Sequence, residues 1–556
     1  MMKWILLLFI PLVATANDAF PVARRGGLAG NIWTNTGILG GWPARTTIFA
    51  VYSNAVTLSA LNTGLADCPS NQVVQLLAGK FDLGGTIVIA TDGVTLRGTT
   101  NSSGYPTTII TNSDIKIGSG SWPSANWANA TPIGVSSGYT EGSTSITLAS
   151  AANSDFAVGD CFILDQTDDG TLVKTSSLTF AHRPSRSYSQ VLRCTSKSGS
   201  IIGFEPPLLG TYWASGQSPE AFGWSSYVGR TFNLSGVEDI KHDEPGAVSY
   251  SIQLGRCNGC WAKNIVATQW GNAGGATACL IVYSTHCAIF DCIFHDHAAV
   301  ANSSYAIYGW EHTACKVENN IITNCPLACP MINWIGCSFS YNVRFGPFPY
   351  SDAAWLPEDF FSHGGHTHHT IWEGNWSDGV WYMDAIFGGN NSDLAIVRGR
   401  QIGWFTGKTG NTVPIQLEQD MDNMTIIGNT LGMEGFHTSY ETTANLKIYG
   451  LDVSDNGTIR TNNYNTVDDG IHSTEVMSVD TMRDSYVYNA APNWWGDRQW
   501  PAFSPAAVTT NVLYYTNLPA GYRSLNGQWP PAAAQGGGNN TTPGGRITPK
   551  INLIGK

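Results

Sequence analysis

Short apolar segments return along the chain between about Ser249 and Gly450, and a polar residue closes each of them. These closing residues are Asn264, Asp291, Asn320, Asn342, Asn375, Arg400 and Asn429. Subtraction gives steps of 27, 29, 22, 33, 25 and 29 residues between them. A recurrence in this range predicts a repeat architecture, in which each repeat is one structural unit.

The repeated segments are short, rich in β-branched and aromatic residues, and separated by Gly, Asn and Asp, which favours strands over the helical segments of leucine-rich repeats. One coil of such strands cannot bury its apolar face alone, so coils must stack about 4.8 Å apart around a common core. We therefore predict an all-β fold, a right-handed parallel β-helix. The recurrent Asn is expected to form an internal ladder at a bend, bonded to its counterpart in the next coil.

The first residues have the pattern of a secretory signal. A lysine at position 3 precedes an apolar run from Trp4 to Val13, and Ala14-Thr15-Ala16 offers small residues for cleavage. We predict a signal peptide over 1–16 and an exported protein, extracellular or periplasmic. No other apolar stretch is long enough to span a bilayer.

Changes in the pattern of apolar segments and in composition divide the rest of the chain. The predicted units are an N-terminal cap with the first coils (17–133), an inserted small β-barrel or sandwich (134–207), the main β-helix (208–480), a Trp- and Pro-rich C-terminal cap (481–531), and a flexible linker with a short tail (532–556). The alternative for 134–207 is an irregular part of the solenoid. The cap is expected to cover the open end of the solenoid, where unpaired strand edges need protection.

Composition narrows the choice of partners. The chain has 556 residues, 61 Gly, 20 Trp and only 13% charged residues, which is typical of an exported all-β protein. A net charge of −12 and a pI near 5.4 argue against nucleic acid, because no basic stripe neutralises phosphates. A polysaccharide or other glycan is the expected partner, and the oligomeric state stays open.

Twelve cysteines in an exported chain suggest disulfides. Cys260, Cys287, Cys315 and Cys337 hold the same place in four successive repeats and are expected to form a column. Neighbours in that column are close enough for a disulfide, whereas free thiols packed as small hydrophobes are the alternative. A zinc site at Cys257-x-x-Cys260 lacks a second pair at suitable spacing.

One stretch identifies a wider relationship. The segment QVVQLLAGKFDLGGTIVIATDGVTLRG, which follows Ala66-Asp67-Cys68-Pro69, resembles the opening coils of the pectate-lyase-like superfamily of β-helix proteins. The resemblance implies the β-helix architecture and supplies no catalytic residue. The module over 134–207 is similar to modules of bacterial and phage β-helix proteins.

Candidate chemistry is densest between His363 and His369, where four of the twelve histidines fall within seven residues. An imidazole with a pKa near neutrality suits acid–base catalysis, and a metal site completed by Asp384 or a structural turn are the alternatives. The candidate catalytic residues are His363, His366, Asp384 and Glu418. The candidate substrate-binding residues are Trp310, Trp334, Trp372, Asn333, Gln416, Arg398 and Arg400.

Two fragments are similar to enzymes of this superfamily. His363-Gly364 resembles the Gly-His-Gly motif of polygalacturonases, and Asp468-Asp469-Gly470-Ile471 resembles their paired aspartates, but the order in the chain is reversed. The strand with Asp296-His297 resembles the Asp-His strand of pectate lyases, whereas their Arg-x-Pro-x-x-Arg motif is absent. Neither mechanism is therefore carried over.

Two classes of function follow. The first is a secreted polysaccharide-active enzyme. The preferred reaction is that of a β-elimination lyase, and the alternative is a glycoside hydrolase that uses Asp384 and Glu418. The second is a non-catalytic exported adhesin or surface fibre component whose tryptophans hold glycans. The sequence implies no cofactor. Ca²⁺ stays open as a candidate, because the Asp and Glu that would form its site come from different coils and leave no motif in the sequence.

Overall fold

The protein was analysed as a computed structural model. The structure describes residues 32–118, 131–171, 173, 183–223, 229–244, 250–270, 276–297, 303–346, 348–384, 391–418, 421–441, 445–451, 458–461, 463–467, 470–472, 483–503 and 518–526. The predicted signal peptide over 1–16, the whole linker and tail over 532–556, and the paired Asp468 and Asp469 lie outside these residues.

The chain opens with two coils and a helix. Their elements are the 3₁₀ turn Trp33–Asn35, β1 (Ile48–Tyr52), α1 (Leu58–Asp67), β2 (Val73–Leu76), β3 (Gly79–Asp82), β4 (Ile87–Ile89), β5 (Thr95–Arg97), β6 (Thr108–Thr111) and β7 (Ile115–Ile117). Helix α1 buries Leu61 and Leu65 in the same core as the strands, and Thr57 caps its first turn by accepting from the Ala60 N–H. The helix thereby covers the first coils.

A six-stranded closed barrel follows. Its strands are β8 (Ile133–Ser137), β9 (Ser145–Leu148), β10 (Cys161–Asp165), β11 (Ser189–Ser198), β12 (Ile201–Glu205) and β13 (Glu220–Gly223), with a 3₁₀ turn at Ser215–Gln217. The inserted module is thus a barrel and not an irregular part of the solenoid. It extends beyond 207 because β13 pairs with both β8 and β10 and closes the sheet.

The main solenoid occupies the rest of the described chain. Its strands are β14 (Phe232–Asn233), β15 (Gly236–Asp243), β16 (Tyr250–Gly255), β17 (Cys257–Asn258), β18 (Trp261–Thr268), β19 (Thr277–Thr285), β20 (Ala288–Phe290), β21 (Ile293–His295), β22 (Tyr305–Thr313), β23 (Lys316–Glu318), β24 (Ile321–Thr323), β25 (Cys329–Ile335), β26 (Ser338–Ser340), β27 (Val343–Phe345), β28 (Glu358–His363), β29 (Ile371–Glu373), β30 (Trp376–Ser377), β31 (Val380–Asp384), β32 (Ala395–Val397), β33 (Arg400–Gln401), β34 (Ile415–Leu417), β35 (Thr425–Ile427), β36 (Thr430–Leu431), β37 (Tyr449–Leu451), β38 (Ile459–Thr461), β39 (Asn463–Asn465) and β40 (Gly470–His472).

These strands form two sheets that wrap one core, and the prediction of a right-handed parallel β-helix is confirmed. Sheet A has 22 strands and sheet B has 12, and all their pairings among named strands are parallel except that of β39 with β40. Sheet B runs in the order β4, β7, β16, β19, β22, β25, β28, β31, β34 and β37, with β14 and β17 at its side. Each coil therefore contributes one strand to sheet B.

The predicted asparagine ladder is confirmed at the bend inside sheet A. The Asn320 N–H donates to Asn342 Oδ1 at 3.0 Å, and the Asn342 N–H donates to Asn375 Oδ1 at 2.9 Å. The ladder resumes where the Asn429 N–H donates to Asn463 Oδ1 at 2.9 Å. These side chains are fully buried, so each amide satisfies a backbone donor that water does not reach.

Three of the repeated polar residues belong to neighbouring positions and not to the ladder. Asn264 and Asp291 occupy a left-handed bend one residue before it, with φ of 52° and 59°. Arg400 lies one residue after the ladder position, which Gly399 fills. Asn and Asp tolerate the left-handed region better than most residues, which explains why both positions look alike in the sequence.

All twelve cysteines are buried free thiols, so the packed-thiol alternative is the one observed. The predicted column exists: the Cys287 N–H donates to Cys315 Sγ at 3.4 Å, and the Cys315 N–H donates to Cys337 Sγ at 3.3 Å. Burial raises the pKa of Cys292 to about 12 and that of Cys325 to about 11. Protonated, buried thiols are poor nucleophiles.

The described residues of the C-terminal segment, 483–503 and 518–526, pack beside the solenoid and not over its open end, where the cap was predicted. Their 3₁₀ turn Asn493–Trp495 and helix α2 (Pro519–Asn526) pack sideways on the outer face of sheet A. Tyr341 and Trp376 point outward there and offer an apolar surface, and Trp495 lies 5.0 Å from the Tyr341 ring. From α2, Arg523 pairs with Asp291 at 2.5 Å.

Replacing Asn342 by Leu is expected to destabilise the protein by about 2–4 kcal/mol. The change removes the acceptor of the Asn320 N–H, and a buried unsatisfied donor is costly. Denaturant unfolding would measure the loss. The exposed Asn54 is the control, for which Asn54→Ala should stay within about 0.5 kcal/mol, and equal effects at both positions would contradict the ladder's importance.

A thiol-specific reagent should find no reactive cysteine in the native protein and twelve in the unfolded, unreduced protein. The reason is that every thiol is buried and none forms a disulfide, so the reagent reaches them only after unfolding. Fewer than twelve thiols after unfolding would show that disulfides form in the column.

Candidate functional site

The outer face of sheet B carries a groove whose floor is a regular set of outward side chains. Along β28, β31 and β34, core residues alternate with outward ones, as the two-residue period of a strand requires. Phe361 pairs with Tyr382 and Tyr382 with Gln416, while His363 pairs with Asp384. The sheet B groove, as we use the term, is formed by Tyr305, Tyr350, Glu358, Phe361, His363, Tyr382, Asp384, Gln416 and Glu418.

His363 and Asp384 meet at the centre of the groove. His363 Nδ1 lies 2.5 Å from Asp384 Oδ2, and the two residues are register partners on adjacent strands. The imidazole is 16% exposed and the carboxylate 2% exposed, so the pair is reachable from one side only. Two of the four predicted catalytic residues are therefore in direct contact.

Glu418 lies one coil further along. Its N–H donates to the Met383 carbonyl at 2.9 Å, which sets it beside Asp384, and its carboxylate accepts the Tyr382 hydroxyl. Burial, and then the Glu418 carboxylate, raise the pKa of Tyr382 well above its usual value. The tyrosine therefore remains a hydrogen-bond donor.

Glu358 is a third carboxyl of the groove that the sequence analysis missed. Burial raises its pKa, and so does the charge of Asp384, whereas hydrogen bonds and His363 oppose the rise. Asn411 Nδ2 donates to Glu358 Oε1 at 3.2 Å. A register shift at the start of β28 separates Glu358 from the regular alternation of the strand, and such bulges re-aim side chains.

Aromatic rings line the same face. Tyr305 stacks on Tyr308 with ring centres 5.4 Å apart, and Phe361 meets the His363 ring edge-on at 5.0 Å. Burial raises the pKa of Tyr305 to about 12, with further contributions from Tyr350, Asp384 and Glu358. The carboxyl groups are thus surrounded by apolar rings that carry hydroxyls, a surface suited to the faces and hydroxyls of sugars.

Two predicted sugar platforms belong to the core instead. Trp334 and Trp372 are 0% and 1% exposed and pack among the inward side chains of the solenoid. Trp310 does face outward, where it contacts Tyr283 at 5.8 Å and packs against the barrel. Of the three tryptophans, only Trp310 lies on the groove side.

Other predicted residues have structural surroundings. Asn333 is buried at a left-handed bend, with φ of 52°, and bonds Glu311. Gln416 lies in the groove, its Nε2 3.4 Å from the Leu417 carbonyl. Arg398 and Arg400 are in or beside sheet A, where their guanidinium groups donate to carbonyls such as Arg483 O at 2.8 Å and Gly432 O at 2.8 Å.

The remaining histidines of the cluster face the barrel and not the groove. His368 stacks on Tyr188 of the barrel at 4.7 Å and lies 3.0 Å from His369, nitrogen to nitrogen. His366 is fully buried, with Nε2 3.2 Å from Ser392 Oγ. His366 therefore does not reach the groove in this structure, because the Gly364-Gly365 turn carries the chain away from the face of sheet B.

No group of three or more His, Cys, Asp or Glu side chains arranged to hold a metal ion occurs in the described part of the chain. Calcium binding stays a prediction. The same described residues include no helix with the length and apolarity needed to cross a membrane.

Comparisons with known proteins found similar chains among solved structures alone. No family model matches the chain, and no curated protein sequence matches it. Among solved structures, a variant of the tailspike protein of E. coli bacteriophage HK620, in complex with a pentasaccharide, is 10% identical, with a TM-score of 0.41, over 81% of this chain and 66% of that one.

Two further structures have the same character. PfbA, a surface adhesin of Streptococcus pneumoniae, is 9% identical, with a TM-score of 0.35, over 73% of this chain and 85% of that one. Polygalacturonase from Erwinia carotovora is 9% identical, with a TM-score of 0.29, over 76% and 97%. At these identities and TM-scores the likeness extends to the fold alone, and the resemblance to the pectate-lyase-like superfamily stays a prediction.

Buried histidines should contribute a loss of stability as the pH drops from about 6.5 to 4. Burial lowers the pKa of His437 to about 4 and that of His368 well below its usual value. The unfolded chain binds these protons first on acidification, so each group destabilises the fold below its unfolded pKa. His437 alone accounts for about 3 kcal/mol.

The measurement is denaturant unfolding of the protein and of His437→Gln at several pH values. The variant should lose about 3 kcal/mol less than the unchanged protein between pH 7 and pH 4. Parallel curves for the two proteins would show that His437 does not titrate with unfolding.

Proposed function

We propose that the protein is an exported glycoside hydrolase that cleaves a polysaccharide in the sheet B groove. One observation carries the proposal: the protonation-prone carboxyl of Glu358 and the histidine-bound carboxylate of Asp384 face one groove lined with aromatic rings. Glycoside hydrolysis generally requires two carboxyl groups of unequal acidity on either side of the scissile bond. The signal-like sequence over 1–16 supports export.

The proposed reaction uses the two carboxyl groups in opposite senses. Glu358 donates its proton to the glycosidic oxygen as the bond between that oxygen and the anomeric carbon breaks. Asp384 accepts a proton from a water molecule, whose hydroxyl adds to the anomeric carbon. His363, at 2.5 Å from Asp384, holds this carboxylate in place.

The remaining groups of the groove would bind the sugar. Glu418 and Tyr382 offer an acceptor and a donor to its hydroxyls, and Phe361 and Tyr305 offer apolar faces. Gln416 contributes a further polar side chain next to Tyr382.

Charge favours hydrolysis over the β-elimination expected first from the sequence. Strands β22, β25, β28, β31 and β34 contain no lysine or arginine, whereas the groove presents Glu358, Asp384 and Glu418. A uronate carboxylate bound there would face three carboxyl groups without a cation from those strands. A polysaccharide of neutral sugars or amino sugars suits the groove better.

Glu358→Gln and Asp384→Asn should each lower kcat at least about 100-fold, because each removes one proton-transfer role. His363→Ala should reduce kcat less, about 10-fold, because it only positions Asp384. Release of reducing ends from xylan, mannan, galactan, dextran, chitosan and polygalacturonate would be followed, together with absorbance of unsaturated products.

Glu434→Gln is the matched control, since this exposed carboxylate lies outside the groove, and it should keep full activity and the same Tm. Unsaturated products from polygalacturonate would contradict hydrolysis and favour the lyase. Binding of a polymer without any cleavage would favour the non-catalytic adhesin.

The activity should also decline with rising pH as Glu358 ionises. Trp355 hydrogen-bonds to Glu358, so Trp355→Phe should shift the pH at which this decline occurs. An unchanged decline in this variant would argue against Glu358 as the acid.

A further inference from the structure

The barrel covers the face of sheet B at one end of the groove. At β19 the outward residues Leu280 and Val282 are 0% and 3% exposed, because barrel residues such as Val191 and Phe222 pack on them. Two hydrogen bonds fix this contact at the next strand: the Ser189 hydroxyl donates to Glu311 Oε2 at 3.1 Å, and the Val191 N–H donates to Thr313 Oγ1 at 3.1 Å. The sheet face is closed at β19.

The strand register gives the distance from this closure to the His363–Asp384 pair. Val282 pairs with Trp310, and Trp310 pairs with Ile332. Because Met331 pairs with Ser362, the following residues Ile332 and His363 lie side by side. Two coils therefore separate Trp310 from His363, and at about 4.8 Å per coil their span is about 10 Å, while the covered residue Val282 lies one coil further away.

At the far end of the groove, the described residues form no such wall. Gln416 on β34 pairs with Gly450 on β37, and glycine has no side chain that projects into the groove. Tyr308, Pro330, Phe361 and Tyr382 lie in one column along the solenoid axis, and each step of that column is one coil. A sugar chain that stacks on this column runs parallel to the axis, from the open end toward the barrel.

We infer that the barrel acts as a stop for the end of the polysaccharide, so that the protein releases products of one or two sugar residues from a chain end. The span of about 10 Å between Trp310, which packs against the barrel, and the reacting groups is about the length of a disaccharide. This inference rests on the proposed hydrolase function and adds the mode of attack. The partly buried Trp310, which packs against the barrel, forms the stop together with Tyr308.

The test is the size of the first products. The full chain would be incubated with each of the six polymers above, and products would be separated by size from the earliest time points while viscosity is recorded. We expect only mono- and disaccharides, with reducing ends appearing well before the viscosity falls. A ladder of longer oligosaccharides with an immediate fall in viscosity would overturn the stop while leaving the hydrolase proposal intact. No new reducing ends from any polymer would overturn both.

A substitution sharpens the result. Trp310→Ala enlarges the closed end, so trisaccharides should appear among the first products. Trp42→Ala is the control, because this exposed tryptophan lies beside Trp261 and Phe290 of sheet A and should leave the product sizes unchanged. If Trp310→Ala does not fold, the product sizes of the unchanged protein still decide the question.

Discussion

The architecture depends on pairing the backbone donors at the bends between strands. Stacked coils satisfy the backbone of their strands, but each bend leaves N–H groups inside a core that excludes water. Side chains of the next coil accept hydrogen bonds from these N–H groups. At one bend of sheet A the acceptors are asparagines. At another bend the acceptors are cysteine sulfurs, and Thr370 is the next acceptor in that column. Because each acceptor serves its neighbour, the columns fix the register of the whole stack.

That register also assembles the groove. Glu358, His363, Asp384 and Glu418 come from three successive coils, yet adjacent strands bring their side chains to one surface. The walls come from elements outside the repeat. The barrel covers β19, and the segment before β28 packs Phe348 and Leu356 beside Val380 and Tyr382. The repeated strands position the side chains of the groove, and the inserted elements form its walls.

The sequence predicted the features that recur. The asparagine ladder, the cysteine column and the parallel stack follow from spacing alone, since a residue required in every coil leaves a periodic mark. It also selected His363, Asp384, Gln416 and Glu418 as candidate site residues, and the structure brings these four to one face of sheet B. The direction of the Trp334 side chain was harder to predict. Asn333 adopts a left-handed conformation between Met331 and Trp334, so the strict alternation is broken and both of these side chains point inward. The sequence analysis missed Glu358 for a related reason, because the register shifts at the start of its strand.

The barrel and the C-terminal segment grip the solenoid from two sides. Tyr212 of the barrel accepts from Asn423 Nδ2 at 2.8 Å, several coils beyond the contact of Val191 with Thr313. On sheet A, Arg523 holds Asp291, and Arg398 donates to the Arg483 carbonyl. A bare solenoid unravels coil by coil, because each repeat contacts only its neighbours. Here the barrel and the C-terminal segment contact the coils from Asp291 to Asn423 along their length, so the segment that carries the groove unfolds as one cooperative unit. The coils beyond these contacts unfold locally and independently.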